Sequence, residues 1–338
     1  MNRSMTISLL LAVLGLTALI SLSLGRYPVT PGDLRRFLLP QSSPGAPAPD
    51  SRQLHLLKNI IVDIRMPRIA AAILIGAALA VSGAVFQSMF INPLVSPGLL
   101  GVLAGASFGA AVGMILAKSW LVVQLGAFSF GLIAVLAAVA LSTLNRGDRL
   151  LMLILGGIIS GALFTSLLSV VKYLADPYEQ LPAIVYWLMG GLSAVDSQTV
   201  LTVWGPILGG ILVLVLLSGY LNVLSMGDEE ARSLGIHVFY LRLMFILLAT
   251  VISALTVVMG GIIGWVGLLI PHIARMMVGP DNRILLPASA LIGAIYLLIA
   301  DDVARLLFGV EIPIGILTSL MGIPFFAFVL RKAKKGWH

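Results

Sequence analysis

The 338-residue chain is 59% hydrophobic and 10% charged, with a net charge of +7 and a mean hydropathy of +1.07. Soluble domains are about 25% charged, so this composition excludes an ordinary soluble globular protein. The absence of cysteine excludes a disulfide framework, a cysteine-held iron–sulfur cluster and a thiol nucleophile. Basic residues at membrane borders account for the positive charge, so a lipid membrane is the expected environment and a nucleic-acid partner is not expected.

Several uncharged tracts are long enough to cross a bilayer, which takes about 20 apolar residues. They predict an all-α, polytopic membrane protein in which the whole chain, 1–338, forms one transmembrane domain. Charges, prolines and length place ten spans, at 5–25, 69–91, 98–117, 120–144, 150–173, 199–221, 240–260, 262–277, 284–304 and 312–330. The apolar stretch 183–195 is too short to span and predicts a re-entrant or interfacial helix, which leaves eleven spans as an alternative. The first tract is long for a signal peptide, so we expect a retained helix.

The distribution of Lys and Arg predicts that both termini are cytoplasmic. In that orientation eleven basic residues lie inside and ten outside, and seven of the external ones belong to the single long segment 26–68. Short loops report orientation best, and without this segment the count is eleven to three. Within the segment, 30–39 is compatible with a short helix on the membrane, and 41–51 is predicted to be a flexible Pro/Ser/Ala loop.

The sequence GDEEARSLGI (Gly227–Ile236) places four charges in a predicted cytoplasmic loop, 222–238. It predicts a two-turn helix with an N-cap, two acidic residues in the first turn, an apolar pair on one face and a left-handed stop. These features are assigned to Asp228, Glu229, Glu230, Ala231, Leu234 and Gly235. A helix this short is marginal alone in water, so we expect another element to pack against it. A plain solvated loop is the alternative.

Other motifs have structural explanations. NPLVSPG (Asn92–Gly98) predicts a rigid turn. The third span carries glycines at intervals of four, which predicts close helix packing; they are Gly101, Gly105, Gly109 and Gly113. In DDVAR (Asp301–Arg305), the simplest role of the aspartates is to end a helix and pair with arginine.

The sequence contains no phosphate-binding G-x-x-x-x-G-K-[ST] motif, no H-E-x-x-H and no nucleophile–base pair. We therefore expect a chain that is not an enzyme, with any driving energy supplied by another polypeptide. The span interiors carry no acid of the kind that a proton- or sodium-coupled carrier uses. An ion-coupled secondary carrier and an intramembrane enzyme remain as the alternatives of other classes.

Four stretches together resemble the FecCD-type permeases, the membrane subunits of type II ABC importers for iron chelates, haem and cobalamin. They run in family order and spacing over nearly the whole chain: RMPRIAAAILIGAALAVSGAVFQSMFINPLVSPGLLGV, GDEEARSLGI, GGIIGWVGLLIPHIARMMVGPDNR and ADDVARLLFGVEIPIGILTSLMGIPFF. The resemblance implies the type II importer permease fold and transport of an iron chelate, a ferric siderophore or haem, across the bacterial inner membrane. Cobalamin or a molybdate-type oxyanion is the alternative cargo within the family.

The resemblance also implies partners. A periplasmic binding protein delivers the cargo, and two copies of an ABC ATPase bind ATP and Mg²⁺, so this chain itself is expected to hold no cofactor and no metal. A second permease subunit completes the pathway, and we expect a homodimer.

The family's functional positions map onto three groups of residues in this sequence. The ATPase-coupling element comprises Asp228, Glu229, Glu230, Ala231, Arg232, Leu234 and Gly235. The arginines expected to dock the binding protein are Arg65, Arg68 and Arg305. The pathway and its cytoplasmic gate are expected to include Asn92, Leu94, Ser160, Gly161, Thr165 and Ser166.

Overall fold

The computed structural model describes residues 3–30, 32–33, 51–117, 119–144 and 149–333. The predicted helix at 30–39 and the predicted loop at 41–51 lie almost entirely outside these ranges. Within them, every regular element is helical. In chain order they are α1 (Arg3–Ser23), α2 (Ser51–Lys58), a π-helical stretch (Asn59–Arg65), α3 (Met66–Met89), a 3₁₀ turn (Pro97–Leu100), α4 (Val102–Leu116), α5 (Trp120–Leu144), α6 (Arg149–Leu174), α7 (Gln180–Leu188), α8 (Ser197–Leu216), α9 (Ser218–Leu224), α10 (Asp228–Ser233), α11 (Val238–Gly260), α12 (Val266–Val278), α13 (Asn282–Leu306) and α14 (Ile314–Ala333).

The predicted spans match the helices that the structure describes. Seven helices in the described part of the chain are long and apolar enough to cross a membrane, and α4, α12 and α14 are its shorter apolar helices. The ten-helix prediction is therefore confirmed. The possible eleventh span contains only α7, whose nine residues extend about 14 Å and cannot cross a bilayer.

The second and sixth spans differ in extent from the prediction. The second span does not begin near residue 69: α2, the π-helical stretch and α3 form one helical run from Ser51 to Met89. The sixth span breaks at Leu217, so that α9 continues as a separate short helix up to Leu224. Both differences lie at the ends of apolar runs, where hydropathy marks the membrane border but does not mark the end of the helix.

Helix α3 is the centre of the molecule and packs against α8, α11, α12 and α13. It is rich in small residues, so neighbouring backbones approach it closely. An added Cβ at Gly83 would lie 1.8 Å from the carbonyl oxygen of Gly267 in α12. One at Gly76 would lie 2.2 Å from the carbonyl oxygen of Gly293 in α13. Glycine is therefore the only residue that fits these two crossings without a shift of the backbone.

The predicted glycine ladder has the packing role expected of it. Gly105 and Gly109 of α4 face the backbone of α5, where added Cβ atoms would lie 2.2 and 2.1 Å from the oxygens of Phe130 and Gly126. Gly101 differs because it precedes α4 with a φ of +83° and contacts α6 at Gly161. Glycine adopts this left-handed conformation at no steric cost.

The predicted boundary between the spans 240–260 and 262–277 is confirmed. The break is wider than expected, because 261–265 is not helical and α12 begins at Val266. Gly261 and Trp265 both have positive φ, +65° and +68°. The Trp265 side chain lies against Gly322 of α14, where an added Cβ would come within 2.9 Å of it.

The antiparallel helices α3 and α13 define two ends of the bundle. At one end Arg68 of α3 meets Asp301 of α13, and we call this the arginine end. At the other end Ser88 of α3 meets Asn282 of α13. Helices α9 and α10 lie at this second end, which we call the α10 end.

Candidate functional site

The short charged helix exists, and its two termini can be compared with the prediction. Helix α10 spans Asp228–Ser233 and is followed by Gly235 with a φ of +77°, which confirms the left-handed stop. The N-cap prediction is wrong. Gly227, with a φ of +117°, holds the cap position, and Asp228 is the first helical residue. The carboxylate of Asp228 instead binds an arginine that follows it by fourteen residues.

One side of α10 is buried and the other is open. Ala231 has no exposed surface, whereas Leu234 is 62% exposed, so only Ala231 of the predicted apolar pair is buried. The reason is that Leu234 already lies past the last helical residue. Glu229, Glu230 and Arg232 are exposed. The solvated-loop alternative is wrong, because this is an anchored helix with a charged outer face.

Asp228 connects α10 to α11. Its Oδ1 accepts a hydrogen bond from Nη2 of Arg242 at 2.7 Å, and its Oδ2 accepts one from Nη1 at 3.3 Å. Arg242 is only 6% exposed, although it carries a charge. Arg232 approaches the same carboxylate at 3.6 Å from the exposed side.

A set of amide side chains joins α9 to α13 and α3 beside α10. Asn222 Oδ1 accepts hydrogen bonds from both the backbone and the side chain of Asn282, each at 2.8 Å. Asn222 Nδ2 donates to Asp281 at 2.8 Å, and Ser88 donates to Asn282 Oδ1 at 2.7 Å. These hydrogen bonds fix the helix that precedes α10 to the two central helices.

The predicted gate residues lie in the turn after α3. Asn92 Oδ1 accepts a hydrogen bond from the backbone N–H of Leu94 at 2.9 Å, which confirms the rigid turn. The Asn92 backbone N–H donates to the carbonyl of Gln87, whose side chain donates to the carbonyl of Leu268 in α12. Leu94 is 54% exposed and so projects from this turn.

At the arginine end, the three predicted docking residues are all buried, and two of them, Arg68 and Arg305, share one ion-pair network. Arg65 donates to the backbone carbonyls of Leu22 and Tyr27. Arg68 binds Asp301 at 2.9 Å and Glu311 at 3.0 Å. Arg305 binds Asp301 at 3.2 Å and also binds Asp302. The predicted pairing of the aspartates with arginine is confirmed.

These arginines are too buried for direct contact with a binding protein, which requires exposed guanidinium groups. Arg65, Arg68 and Arg305 are 4%, 7% and 7% exposed, so in this conformation their guanidinium groups face inward. For Arg68 and Arg305 the physical reason is that Asp301, with no exposed surface, needs close cations to balance its charge. Glu311 is the network's more accessible acid, with its side chain 33% exposed.

The predicted pathway residues of α6 divide into two groups. Ser160 is 1% exposed and donates to the carbonyl of Ala134 in α5 at 2.7 Å, so it does not line an open surface of this chain. Gly161 is half-buried against Gly101. Thr165 and Ser166 are exposed, and Thr165 donates to the carbonyl of Gly161 at 2.8 Å. The open face around these two residues is therefore uncharged and weakly polar.

Sequence reasoning missed several polar residues that organise the two ends. Arg242, Asn222 and Asn282 bind partners on other helices, and Glu311 completes the arginine network. The one available signal is that Arg242 is a charge just inside an apolar span, where a partner is required. Within the described ranges, no three His, Asp or Glu side chains cluster in a way that could hold a metal ion.

A multi-pass helical bundle with a charged helix anchored at one end and no catalytic constellation in its described part has the features of a transport permease. The model of the FecCD transport family matches residues 11–332. The chain belongs to this family, and it is accordingly a non-catalytic permease subunit of a type II ABC importer.

Individual relatives agree with this assignment. The chain is 40% identical to the molybdate import system permease protein MolB of Haemophilus influenzae, over 96% of this chain and 94% of the relative. It is 39% identical to a protein of Helicobacter pylori named as a probable iron chelatin transport system permease protein, over 84% of this chain and 86% of the relative. A solved structure described as an inward-facing metal-chelate type ABC transporter matches with a TM-score of 0.84 and 39% identity, covering 96% of this chain and 98% of that one.

Proposed function

We propose that this permease takes an iron chelate, a ferric siderophore or haem, from a periplasmic binding protein across the bacterial inner membrane. Two copies of a separate ATPase, which bind ATP and Mg²⁺, drive the transport. A second copy of the same chain completes the pathway, and both termini are cytoplasmic.

The observation that carries the proposal is the construction of α10. A six-residue helix is marginal alone, yet α10 buries Ala231 completely and ties Asp228 to a buried arginine. Its outward side chains, Glu229, Glu230 and Arg232, lie free of the bundle's core. A rigid charged projection suits an element that receives force from a partner, which is the coupling role assigned to residues 228–235.

The arginine end supports a role in docking the binding protein. Arg65, Arg68 and Arg305 converge there, and the network includes the partly exposed Glu311. Opposite charges across an interface orient a partner and speed its association more than they raise affinity. Because the guanidinium groups are buried, docking through them involves an exchange of internal partners, carboxylates for Arg68 and Arg305 and backbone carbonyls for Arg65, for acidic groups of the binding protein.

The α6 face supports the proposed pathway. Thr165 and Ser166 expose small, weakly polar side chains, and Thr165 satisfies its hydroxyl on its own helix. Such a surface offers a bulky cargo no strong binding groups, so that the cargo slides without being trapped. Asn92 and Leu94, in the turn at the α10 end, are proposed to close the pathway on the cytoplasmic side.

The cargo has two leading candidates. The uncharged α6 face favours a bulky chelate over a small oxyanion, which would need hydrogen-bond donors along its route. The relative MolB favours molybdate, because its 40% identity extends over 96% of this chain. We place the iron chelate first, molybdate second and cobalamin as the remaining family cargo.

The proposal is tested by purifying the chain with its candidate ATPase in lipid nanodiscs and measuring ATP hydrolysis with and without the binding protein. The variant Glu229→Ala/Glu230→Ala/Arg232→Ala should lose assembly or stimulation. The control Asp63→Ala/Lys172→Ala/Glu179→Ala also removes two acids and one base, at positions away from α10, and should assemble like the wild type. If no ATPase associates with the wild-type chain, the proposal fails.

Cargo is tested by uptake into proteoliposomes from binding proteins loaded with ferric siderophore, haem, cobalamin or molybdate. Uptake of the ferric chelate alone supports the first candidate, and uptake of molybdate alone replaces it with the second. Uptake without ATP that collapses with an ionophore would identify an ion-coupled carrier instead.

A further inference from the structure

The contact between α10 and α11 contains a buried arginine that no motif identifies. Arg242 lies in the second turn of α11 and is 6% exposed. Both of its described hydrogen bonds go to Asp228, from Nη2 at 2.7 Å and from Nη1 at 3.3 Å. Its Nε is buried and has no hydrogen-bond partner among the described residues. Asp228 is thus the residue that balances the charge of this buried guanidinium and accepts its hydrogen bonds.

The geometry of this pair fixes orientation as well as distance. A planar guanidinium that meets a carboxylate through two nitrogens permits only a narrow range of relative angles. The buried methyl group of Ala231 also anchors α10, but it fills space and does not define an angle. The ion pair is therefore the contact that sets how α10 is oriented on α11.

Helix α11 is well placed to carry a movement into the bundle. It continues for eighteen residues beyond Arg242, about 27 Å. Along this length it packs against α3, α5 and α8. If a rigid contact holds α10 to α11, a displacement of α10 also moves α11 and reaches the centre of the molecule. A loosely attached α10 would move alone.

We propose that Arg242 is a positioning residue of the transport cycle, which transmits the movement of α10 to α11 through its ion pair with Asp228. The inference rests on the proposed coupling role of α10 and adds the residue that makes the coupling mechanical. Arg242 is itself buried and does not contact the ATPase. Its loss uncouples ATP hydrolysis from transport without preventing assembly.

The first experiment needs no ATPase. The chain has no cysteine, so Ser233→Cys provides a single site on α10 for a nitroxide spin label. In nanodiscs, adding Arg242→Gln should raise the mobility of the label at least twofold. Arg283→Gln, an exposed arginine in the first turn of α13, removes the same charge and should leave the spectrum unchanged. Equal spectra for the Arg242→Gln and Arg283→Gln proteins would overturn the inference.

The second experiment measures ATP hydrolysed per cargo molecule in the assembled importer. Arg242→Gln should assemble with the ATPase and raise this ratio at least tenfold, Arg242→Lys should restore part of the coupling, and Arg283→Gln should match the wild type. A residue with only a structural role would lower hydrolysis and transport in proportion and leave the ratio unchanged, which would contradict the proposal.

Asp228 supplies the test from the other side of the pair. Asp228→Asn should raise the ratio, and the double variant Asp228→Asn/Arg242→Gln should be no worse than Arg242→Gln alone, because one interaction is removed in all three. Additive losses would overturn the inference. If Arg242→Gln does not fold, Asp228→Asn alone tests the proposal. A wild-type ratio of ATP hydrolysed to cargo transported in Asp228→Asn would then contradict it. If the wild-type chain binds no ATPase, the proposed function fails. The spin-label result still tests whether the Asp228–Arg242 ion pair holds α10 to α11.

Discussion

Single residues at the arginine end show how a charge is kept inside a membrane protein. Asp301 has no exposed surface and lies between Arg68 and Arg305, at 2.9 and 3.2 Å. A buried charge is tolerated only when paired, and removing one partner leaves the others uncompensated. The network also joins α1 to α13, since Ser21 donates to Asp302 at 2.7 Å.

Replacement of Asp301 by asparagine should therefore destabilise the fold by about 3–5 kcal/mol, because two buried guanidinium groups lose their shared carboxylate. Thermal unfolding followed by tryptophan fluorescence measures the effect. The control is Asp63→Asn, an exposed carboxylate in the neighbouring π-helical stretch. Equal unfolding midpoints for the two variants would show that the network does not hold this end together.

A single methyl group should have a large effect where helices cross at glycine. Gly83→Ala places a Cβ 1.8 Å from the Gly267 oxygen, so the crossing of α3 and α12 must shift, and overpacking of this kind costs about 1–3 kcal/mol. Gly209→Ala in α8 meets no atom within 4 Å and should be neutral or stabilising. Comparison of their unfolding midpoints tests the crossing, and a wild-type midpoint for Gly83→Ala would contradict it.

Helices in this molecule divide into those that build the core and those that present a surface. Helix α3 is buried over most of its length. In α6 and α8, less than a third of the most apolar 18-residue stretch is buried. Open apolar surface on a membrane helix faces lipid, a second subunit or a pathway. Two adjacent exposed hydroxyl residues, Thr165 and Ser166, mark the α6 face, which we propose lines the pathway.

A bulky side chain on that face should block transport without affecting the ATPase. We expect Ser166→Trp to lower cargo uptake at least tenfold, while basal ATP hydrolysis stays within about twofold of the wild type. Leu212→Trp places the same ring on an exposed position of α8 and should transport normally. Equal uptake by the two variants would show that the pathway does not run along this face of α6.

At the scale of the whole molecule, the two ends are chemically distinct. The α10 end presents an anchored charged helix, and the arginine end presents buried cations with the partly exposed Glu311. We propose that the ATPase binds at the α10 end and that the binding protein docks at the arginine end. The assignment requires that α10 be cytoplasmic.

Orientation can be tested because the chain lacks cysteine. Ser233→Cys in α10 should react with a membrane-impermeant maleimide only in inside-out vesicles. Tyr178→Cys, at a position 88% exposed in the segment after α6, should react only in right-side-out vesicles. Reversed labelling of the pair would place α10 outside and exclude its contact with a cytoplasmic ATPase.

Assembly as a homodimer is a further expectation at this scale. The purified permease in nanodiscs should have the mass of two 35.7 kDa chains by light scattering after subtraction of lipid and scaffold. Co-expression of two differently tagged copies should recover both tags together. Recovery of one tag alone would indicate a monomer or a partnership with a different permease.

The number of spans, the class of protein and the short charged helix at 228–233 all followed from the sequence by itself. Long apolar tracts must lie in a membrane, and local signals such as Gly235 stop a helix wherever they occur. Only the tertiary structure decided where polar side chains point. Ser160 faces α5, the three arginines proposed to dock the binding protein turn inward to Asp301, Asp302 and backbone carbonyls, and Arg242 binds Asp228. These contacts depend on which helices pack together, and hydropathy carries no information about the pairing of helices.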